Sequence, residues 1–488
     1  MRRTIAVSSC ALALCAAAVL SGQMPRNLDQ RIARIEGHLV PTITIKDRPA
    51  SAMAIAERMR FYNVPGVSVA VINGGAVEWA RGYGVLEAGG SEPVTPHTRF
   101  QAASISKPIA AMAVLRIVEA GFLALDEDVN AKLRSWKVPE NEFTKQEKVT
   151  LRRVLSHSAG LTVHGFAGYE AGGPMPTLVQ VLDGVKPANS APIRVDVVPG
   201  SLWRYSGGGY TVLQQMLIDM ARRPFPVIVR DGVLGPIGMT DSSYDQPWPE
   251  SLRGQAASGH TANGKVIPGR YHTYPELAAA GLWTTPTDLA RFALAIQQAA
   301  AGKSELLSQA TAKQMLTVQK GAYGLGLLLD GSGPTARFSH GGSNAGFQCL
   351  MVAYVETGQG AVVMTNGDRG AMLAQEIVRA IAAEYGWRDY PGTREKTVAQ
   401  VDPTIYKAYV GRYEYAPGRV IGIRVEGNML MATDGRPDER GVELLPESPS
   451  KFFQPVQALE FEFVRGPGGE VTHMIVNGST KARRLPSS

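Results

Sequence analysis

Residues 100–129 read FQAASISKPIAAMAVLRIVEAGFLALDEDV, and the reading of this stretch decides the fold. Ser104-Ile105-Ser106-Lys107 matches S-x-x-K, a pattern that two common residue types produce by chance in chains of this length. The chain carries such a second match at Ser448 to Lys451, in a stretch interrupted by Pro449. Context separates the two. Pro108 lacks an N–H and is tolerated only in the first turn of a helix, so a helix should begin close to Ser104. Met112, Leu115, Ile117 and Val118 then give a largely buried helix that closes at Gly121. Ser104 and Lys107, three residues apart, share one face of it. The hydroxyl sits at the positive end of the helix dipole, where an oxyanion is favoured. An ammonium held in a dry pocket loses basicity, and Lys107 can then accept the Ser104 proton.

A serine–lysine pair needs a proton carrier for the leaving group and donors for the tetrahedral oxyanion. Tyr205-Ser206-Gly207 offers a phenol, whose pKa is expected to fall beside a cationic Lys107. His340-Gly341-Gly342 opens a run expected to be an edge-accessible strand. Its glycines allow close substrate approach, and the Ser343 N–H could complete an oxyanion hole with the Ser104 N–H. Taken singly, a tyrosine is usually a packing residue and a Gly-Gly pair is usually a turn.

Working outward, Val67 to Ile72 and Ala76 to Val85 flank Asn73-Gly74-Gly75, a hairpin signal. The region from about 130 to 300 mixes helical patterns, such as Leu289 to Leu294, with Gly/Pro-rich loops. Strand-like runs return at Gly324 to Leu329, Gly346 to Tyr354 and Gly360 to Thr365. Leu373, Ile377, Ile381 and Tyr385 then form one helical stripe. After about Tyr390, short runs such as Ile421 to Val425 and Phe461 to Val464 alternate with Gly-rich turns, which points to a separate all-β module.

The order and spacing of the three boxes resemble the serine β-lactamase and penicillin-binding-protein group, where S-x-x-K, Y-x-N and K/H-x-G line one cleft. The closer likeness is to class C β-lactamase-like hydrolases, the peptidase and esterase set related to D,D-peptidases. RRVLSHSAGL (152–161), RYSGGGYTVLQQML (204–217), GPIGMTDSSY (235–244), AAGLWTTPTDLARF (279–292) and FSHGGSNAGF (338–347) carry it, over roughly residues 45 to 385. The resemblance implies an α/β (α+β) fold, an antiparallel sheet flanked by helices with a mostly helical subdomain. The C-terminal module resembles the lipocalin-like, barrel-like domain attached to some of these hydrolases. Domains are therefore expected at 23–390 and 391–488. By the same resemblance Ser104, Lys107, Tyr205 and His340 are catalytic, and Gly341, Gly342, Ser343, Ser206 and Gly207 line the substrate and oxyanion site. Two departures matter. Gly207 stands where the family has Asn, and His340 where it commonly has Lys. A mostly neutral imidazole is a poorer clamp for a carboxylate than an ammonium, which favours a small ester or amide over a β-lactam.

Composition bounds the rest. The chain has 488 residues, 44% of them hydrophobic and 19% charged, which is ordinary globular composition. A net charge of +7 could suggest nucleic acid. The basic residues, however, fall in scattered doublets (Arg152-Arg153, Arg222-Arg223, Arg483-Arg484) without interleaved aromatics. MRRTIAVSSCALALCAAAVLSGQ at the start has a positive n-region and a short apolar run, and reads as a signal peptide over 1–22. An uncleaved anchor is the alternative; a periplasmic or secreted protein without a stable transmembrane span is the expectation. Removal of Cys10 and Cys15 would leave Cys349 alone, in an apolar run and so expected to be buried and inert. No G-x-S-x-G elbow, H-E-x-x-H or Walker A loop occurs, so no metal or other cofactor is implied. Two functions remain. One is an exported serine hydrolase of a small-molecule or short-peptide substrate, with esterase, D-amino-acid peptidase and weak β-lactamase all open. The other, prompted by Gly207, is a binding or assembly protein on a catalytically impaired scaffold. Oligomeric state is not legible.

Overall fold

Asn73-Gly74-Gly75 turns the chain because Gly74 and Gly75 adopt φ of 60° and 76°, which costs glycine little. The turn joins β1 (Gly66–Asn73) to β2 (Ala76–Gly84) as an antiparallel hairpin in a computed structural model of the chain. The structure describes residues 27–48, 52–416, 419–433, 441–456 and 458–486. The stretch 1–22 expected to be a signal peptide, with Cys10 and Cys15, lies outside them.

The described residues divide into two compact units, one holding those up to 36 and 54–390, the other those in 37–53 and from 391 onward. In the first, β1 and β2 extend into a six-stranded antiparallel sheet with β3 (Leu328–Asp330), β4 (Arg337–Asn344), β5 (Phe347–Tyr354) and β6 (Gly360–Thr365), in the order β2-β1-β6-β5-β4-β3. Gly66 to Ile72 are all buried, the pattern of a strand covered on both faces. Ala70 and Ile72 enter one large core with the apolar faces of α1 (Ser106–Glu119), α2 (Gly207–Ala221) and α3 (Pro286–Ala300). The helix α4 (Gly370–Glu384) packs on β5 and β6 and buries its stripe of Leu373, Ile377 and Ile381. At roughly 1.5–3 kcal/mol for each large apolar side chain taken from water, that stripe contributes to holding the helix against the sheet. The α/β fold with an antiparallel sheet and a largely helical region between β2 and β3 is the one expected. Gly324 to Leu329 departs from expectation, because only its end is strand and the rest is a loop.

In the second unit, the strands β7 (Gly411–Ala416), β8 (Arg419–Glu426), β9 (Met429–Thr433), β10 (Val442–Pro446), β11 (Lys451–Gln454), β12 (Leu459–Arg465), β13 (Val471–Val476) and β14 (Thr480–Arg484) close into an eight-stranded barrel, β14 pairing with β7. β12 shows the period-two logic: Phe461 and Phe463 point inward and their neighbours outward. Tyr409 stacks on Phe463 with ring centroids 4.3 Å apart. Residues 37–53, which the sequence reading runs together with the first domain, belong here because Ile43–Ile45 pairs in parallel with Arg394–Lys396. The second S-x-x-K match is a turn: Ser448 Oγ accepts the Lys451 N–H at 3.1 Å, and Lys451 opens β11. No helix of the described residues is long and apolar enough to cross a membrane.

Candidate active site

Ser104 lies in a single 3-10 turn, Ala103–Ile105, that feeds directly into α1. Ala103, the residue before it, has φ of +50°, a conformation that costs a non-glycine residue about 1–3 kcal/mol and must be held by its surroundings. Those surroundings are specific. Ala102 N–H donates to Leu282 O at 2.8 Å, and Ser106 Oγ donates to Ala103 O at 2.5 Å and accepts from Leu282 N–H at 3.0 Å. Gly342 on β4 closes from the other side: a Cβ there would come within 2.2 Å of Ala102 O. The strand thus lies against the Ser104 turn at a distance only glycine permits.

Lys107 Nζ is 3.0 Å from Ser104 Oγ and donates to Ala279 O at 2.8 Å. The side chain is 2% exposed, and burial lowers its pKa to about 7. A neutral amine poised at that value can take the hydroxyl proton. Tyr205 is half-buried in the segment just before α2, near enough to Ser104 for that hydroxyl to act on its phenol, and Lys107 Nζ lies 4.9 Å from the centre of its ring. Beside a cationic lysine its phenol is expected to become more acidic. Burial instead pushes it up to about 12, because the desolvation cost of a phenolate outweighs the lowering effect of the Ser104 hydroxyl. Tyr205 is accordingly protonated at neutral pH.

His340 stands on β4, 3% exposed. Its Nδ1 donates to Gly341 O at 2.6 Å, since a carbonyl can only accept. That tautomer leaves Nε2 as a lone-pair acceptor, buried and without a hydrogen-bond partner among the described residues. Burial first, then Lys107, lowers its pKa to about 3, so the imidazole is neutral throughout the working range. β3 pairs with Arg337 to Ser339 only, so beyond them β4 is free of that neighbour. Gly341 and Ser343 are exposed there, and no atom of a Cβ at Gly341 would meet anything closer than 3.8 Å.

Ser206 and Gly207 are placed differently from the rest. Ser206 is the N-cap of α2: its Oγ accepts the Gly209 N–H at 2.9 Å and donates to Thr162 O at 2.8 Å. Gly207 is buried, and a Cβ there would approach His164 O at 3.1 Å and Phe166 Cε2 at 3.2 Å. The loop over 164–166 fills the space that an Asn side chain would need.

Three groups escaped the sequence reading. His157, in the RRVLSHSAGL segment, stacks on Tyr205 with centroids 4.1 Å apart and takes the Ser206 N–H on Nδ1 at 3.1 Å. It therefore orients the phenol from behind. Tyr323 stands edge-on to His157 at 5.0 Å and comes from the loop before β3, where no motif marks it. Glu276 is fully buried beside the short helix that carries Ala279, and neither carboxyl oxygen has a partner among the described residues; burial pushes its pKa up to about 8. Cys349 is buried, donates to Gln101 O at 3.2 Å, and its thiol is pushed up by burial. Among the described residues there is no group of three or more His, Cys, Asp or Glu that could hold a metal. A 640 Å³ cavity lined by Ile55, Met59, Val64 and Tyr83 includes none of the Ser104 residues.

Comparison with known proteins agrees with this arrangement. The profile of the Beta-lactamase family matches residues 52–385, and that of a domain of unknown function (DUF3471) matches 395–485. A penicillin-binding protein of Bacillus subtilis (strain 168) is 23% identical over 427 residues, covering 82% of this chain and 90% of its own. Esterase EstB of Burkholderia gladioli is 27% identical over 273 residues, covering 49% of this chain and 68% of its own. Among solved structures, the octameric penicillin-binding protein homologue from Pyrococcus abyssi superposes with a TM-score of 0.59 at 22% identity, covering 88% of this chain and 97% of its own. The D-amino acid amidase from Ochrobactrum anthropi SV3 gives 0.56 at 20%, covering 73% and 99%. With a family match across most of the first unit, and a hydroxyl, a buried amine and a phenol gathered at its S-x-x-K turn, the chain belongs to the beta-lactamase family of serine hydrolases.

Proposed function

We propose that the protein is an exported serine hydrolase that cleaves a small ester or amide through an acyl-enzyme on Ser104. The observation that carries this reading is the 3.0 Å contact between Ser104 Oγ and a desolvated Lys107 with a pKa near 7. Lys107 accepts the hydroxyl proton as Oγ forms its bond to the carbonyl carbon. The Ser104 and Ser343 N–H groups receive the oxyanion, on a strand edge and a helix start that Gly342 holds together. Tyr205 gives its proton to the leaving oxygen or nitrogen as that bond breaks, and Lys107 restores it. Water then adds to the acyl carbon with the same groups in reverse order.

A neutral His340 offers no counter-charge to a carboxylate, which supports a preference for esters and amides over β-lactams and C-terminal peptides. Esterase and D-amino acid amidase relatives point the same way. The N-terminal pattern over 1–22 supports export, which N-terminal sequencing of the mature protein tests. Side-by-side hydrolysis of aryl acetates, D-amino acid amides, D-Ala peptides and a chromogenic cephalosporin tests the chemistry. Ester or amide cleavage that Ser104→Ala abolishes, at least a hundredfold faster than the cephalosporin, is expected; a cephalosporin preference would overturn the substrate reading.

A further inference from the structure

The segment leading into Tyr205 presents two consecutive exposed apolar side chains, Leu202 and Trp203, at 40% and 41% exposure. One face of the Trp203 indole is occupied. It lies against Tyr323, centroids 5.5 Å apart and planes 31° from parallel, and over the Gly321 turn, where a Cβ would come within 3.1 Å of the ring. Tyr323 is buried and continues the aromatic surface inward. It meets His157 at 5.0 Å, Tyr205 at 6.3 Å and His340 at 6.3 Å, each time edge to face. An aromatic wall therefore runs from the solvent-facing indole to the groups that surround Lys107.

The inference rests on the reading of Tyr205 as proton donor to the leaving group. Under that reading the leaving atom sits at the Tyr205 hydroxyl, and the group it carries extends along Tyr323 toward Trp203. At its inner end the wall meets a neutral His340 imidazole, whose tautomer, fixed by Gly341 O, presents only a lone pair. An exposed indole backed by a buried phenol is suited to stack an apolar ring, and it gains nothing from an anion. We propose that Trp203 and Tyr323 form a leaving-group subsite that selects substrates whose departing alcohol or amine is neutral and carries an aromatic ring.

The test compares benzyl acetate with ethyl acetate, two esters of similar leaving-group acidity that pass through one acetyl-enzyme. The quantity read is the ratio of their kcat/KM values. The wild-type protein is expected to favour benzyl acetate; Trp203→Ala lowers that ratio about tenfold, and Trp203→Phe, which keeps a ring, restores most of it. Equal losses on both esters, or a ratio unchanged by Trp203→Ala, would overturn the subsite while leaving the hydrolase reading intact. Calorimetric titration of benzyl alcohol into Ser104→Ala and into Ser104→Ala/Trp203→Ala reads the subsite without turnover. Binding that needs Trp203 supports it, and equal binding by the two proteins overturns it, whatever becomes of the hydrolase reading.

Discussion

The burial of Lys107 sets the pH dependence of acylation, and its size follows from the structure. At the ordinary lysine value of 10.5, about three amines in ten thousand are neutral at pH 7; at about 7, half are. Desolvation therefore raises the concentration of competent base by roughly a thousandfold at neutral pH. The base form lies above the pKa, so kcat/KM should rise about tenfold per pH unit below pH 6 and level off above pH 8. No second limb is expected in this window. His340 titrates near 3 and Tyr205 near 12, both outside it. The assay is kcat/KM for phenyl acetate from pH 5 to 9, corrected for spontaneous hydrolysis, in the wild type and in Lys107→Arg, with thermal melts to show that the variant is folded. Arginine stays charged across the range, so the variant should lose about a thousandfold and show no such inflection. A flat profile between pH 5.5 and 8.5, or a folded Lys107→Arg protein within tenfold of wild type, would refute the assignment.

Four further outcomes follow from named contacts. Glu276 is raised from 4.5 to about 8 by burial, so the folded state holds a proton that the unfolded chain releases; its contribution to stability is fully present below pH 4.5 and is lost as pH rises toward 8, by on the order of 5 kcal/mol, and melting curves of Glu276→Gln should show that slope removed. His157→Phe keeps a ring against Tyr205 but leaves the Ser206 N–H unpaired, which should cost about 1–3 kcal/mol in denaturant titration and lower kcat more than it raises KM. Gly342→Ala drives a methyl into Ala102 O and should reduce kcat/KM by about a hundredfold through the displaced oxyanion donors, beyond any change in melting temperature. Gly207→Asn, which would restore the family's usual residue, meets the 164–166 loop and is expected to lower the melting temperature without creating cephalosporin hydrolysis, both read on the purified variant.

Much of this was legible in the sequence because it rests on local rules. Pro108 fixes where α1 can start, Asn73-Gly74-Gly75 fixes the hairpin, and alternation in Phe461 to Val464 announces a barrel strand. The three boxes also converge, although more than a hundred residues separate Tyr205 from His340. What was hidden depends on the neighbours a residue meets only after folding. The expectation that the Tyr205 phenol becomes more acidic treats Lys107 as fully cationic; burial acts on both groups at once, raising the phenol and leaving the amine half-neutral. Ser206 looked like a substrate contact, yet a serine directly before a helix is more useful as its cap, a rule its own position satisfies. His157 stood in a recognised segment, but nothing in that segment shows that its ring lies on Tyr205. Tyr323 and Trp203 have no motif at all. Parallel pairing by three residues at Ile43 is likewise too short to be read before the fold is known.

The central claim is a covalent acyl group on Ser104. Intact-protein mass spectrometry after brief mixing with an aryl ester, or with a serine-directed phosphonate, tests it most directly. The account predicts one acyl or phosphonyl increment per chain, mapped to the peptide that contains Ser104 and absent from Ser104→Ala, which also loses hydrolysis. A Ser104→Ala protein that is still labelled and still cleaves the ester would contradict it.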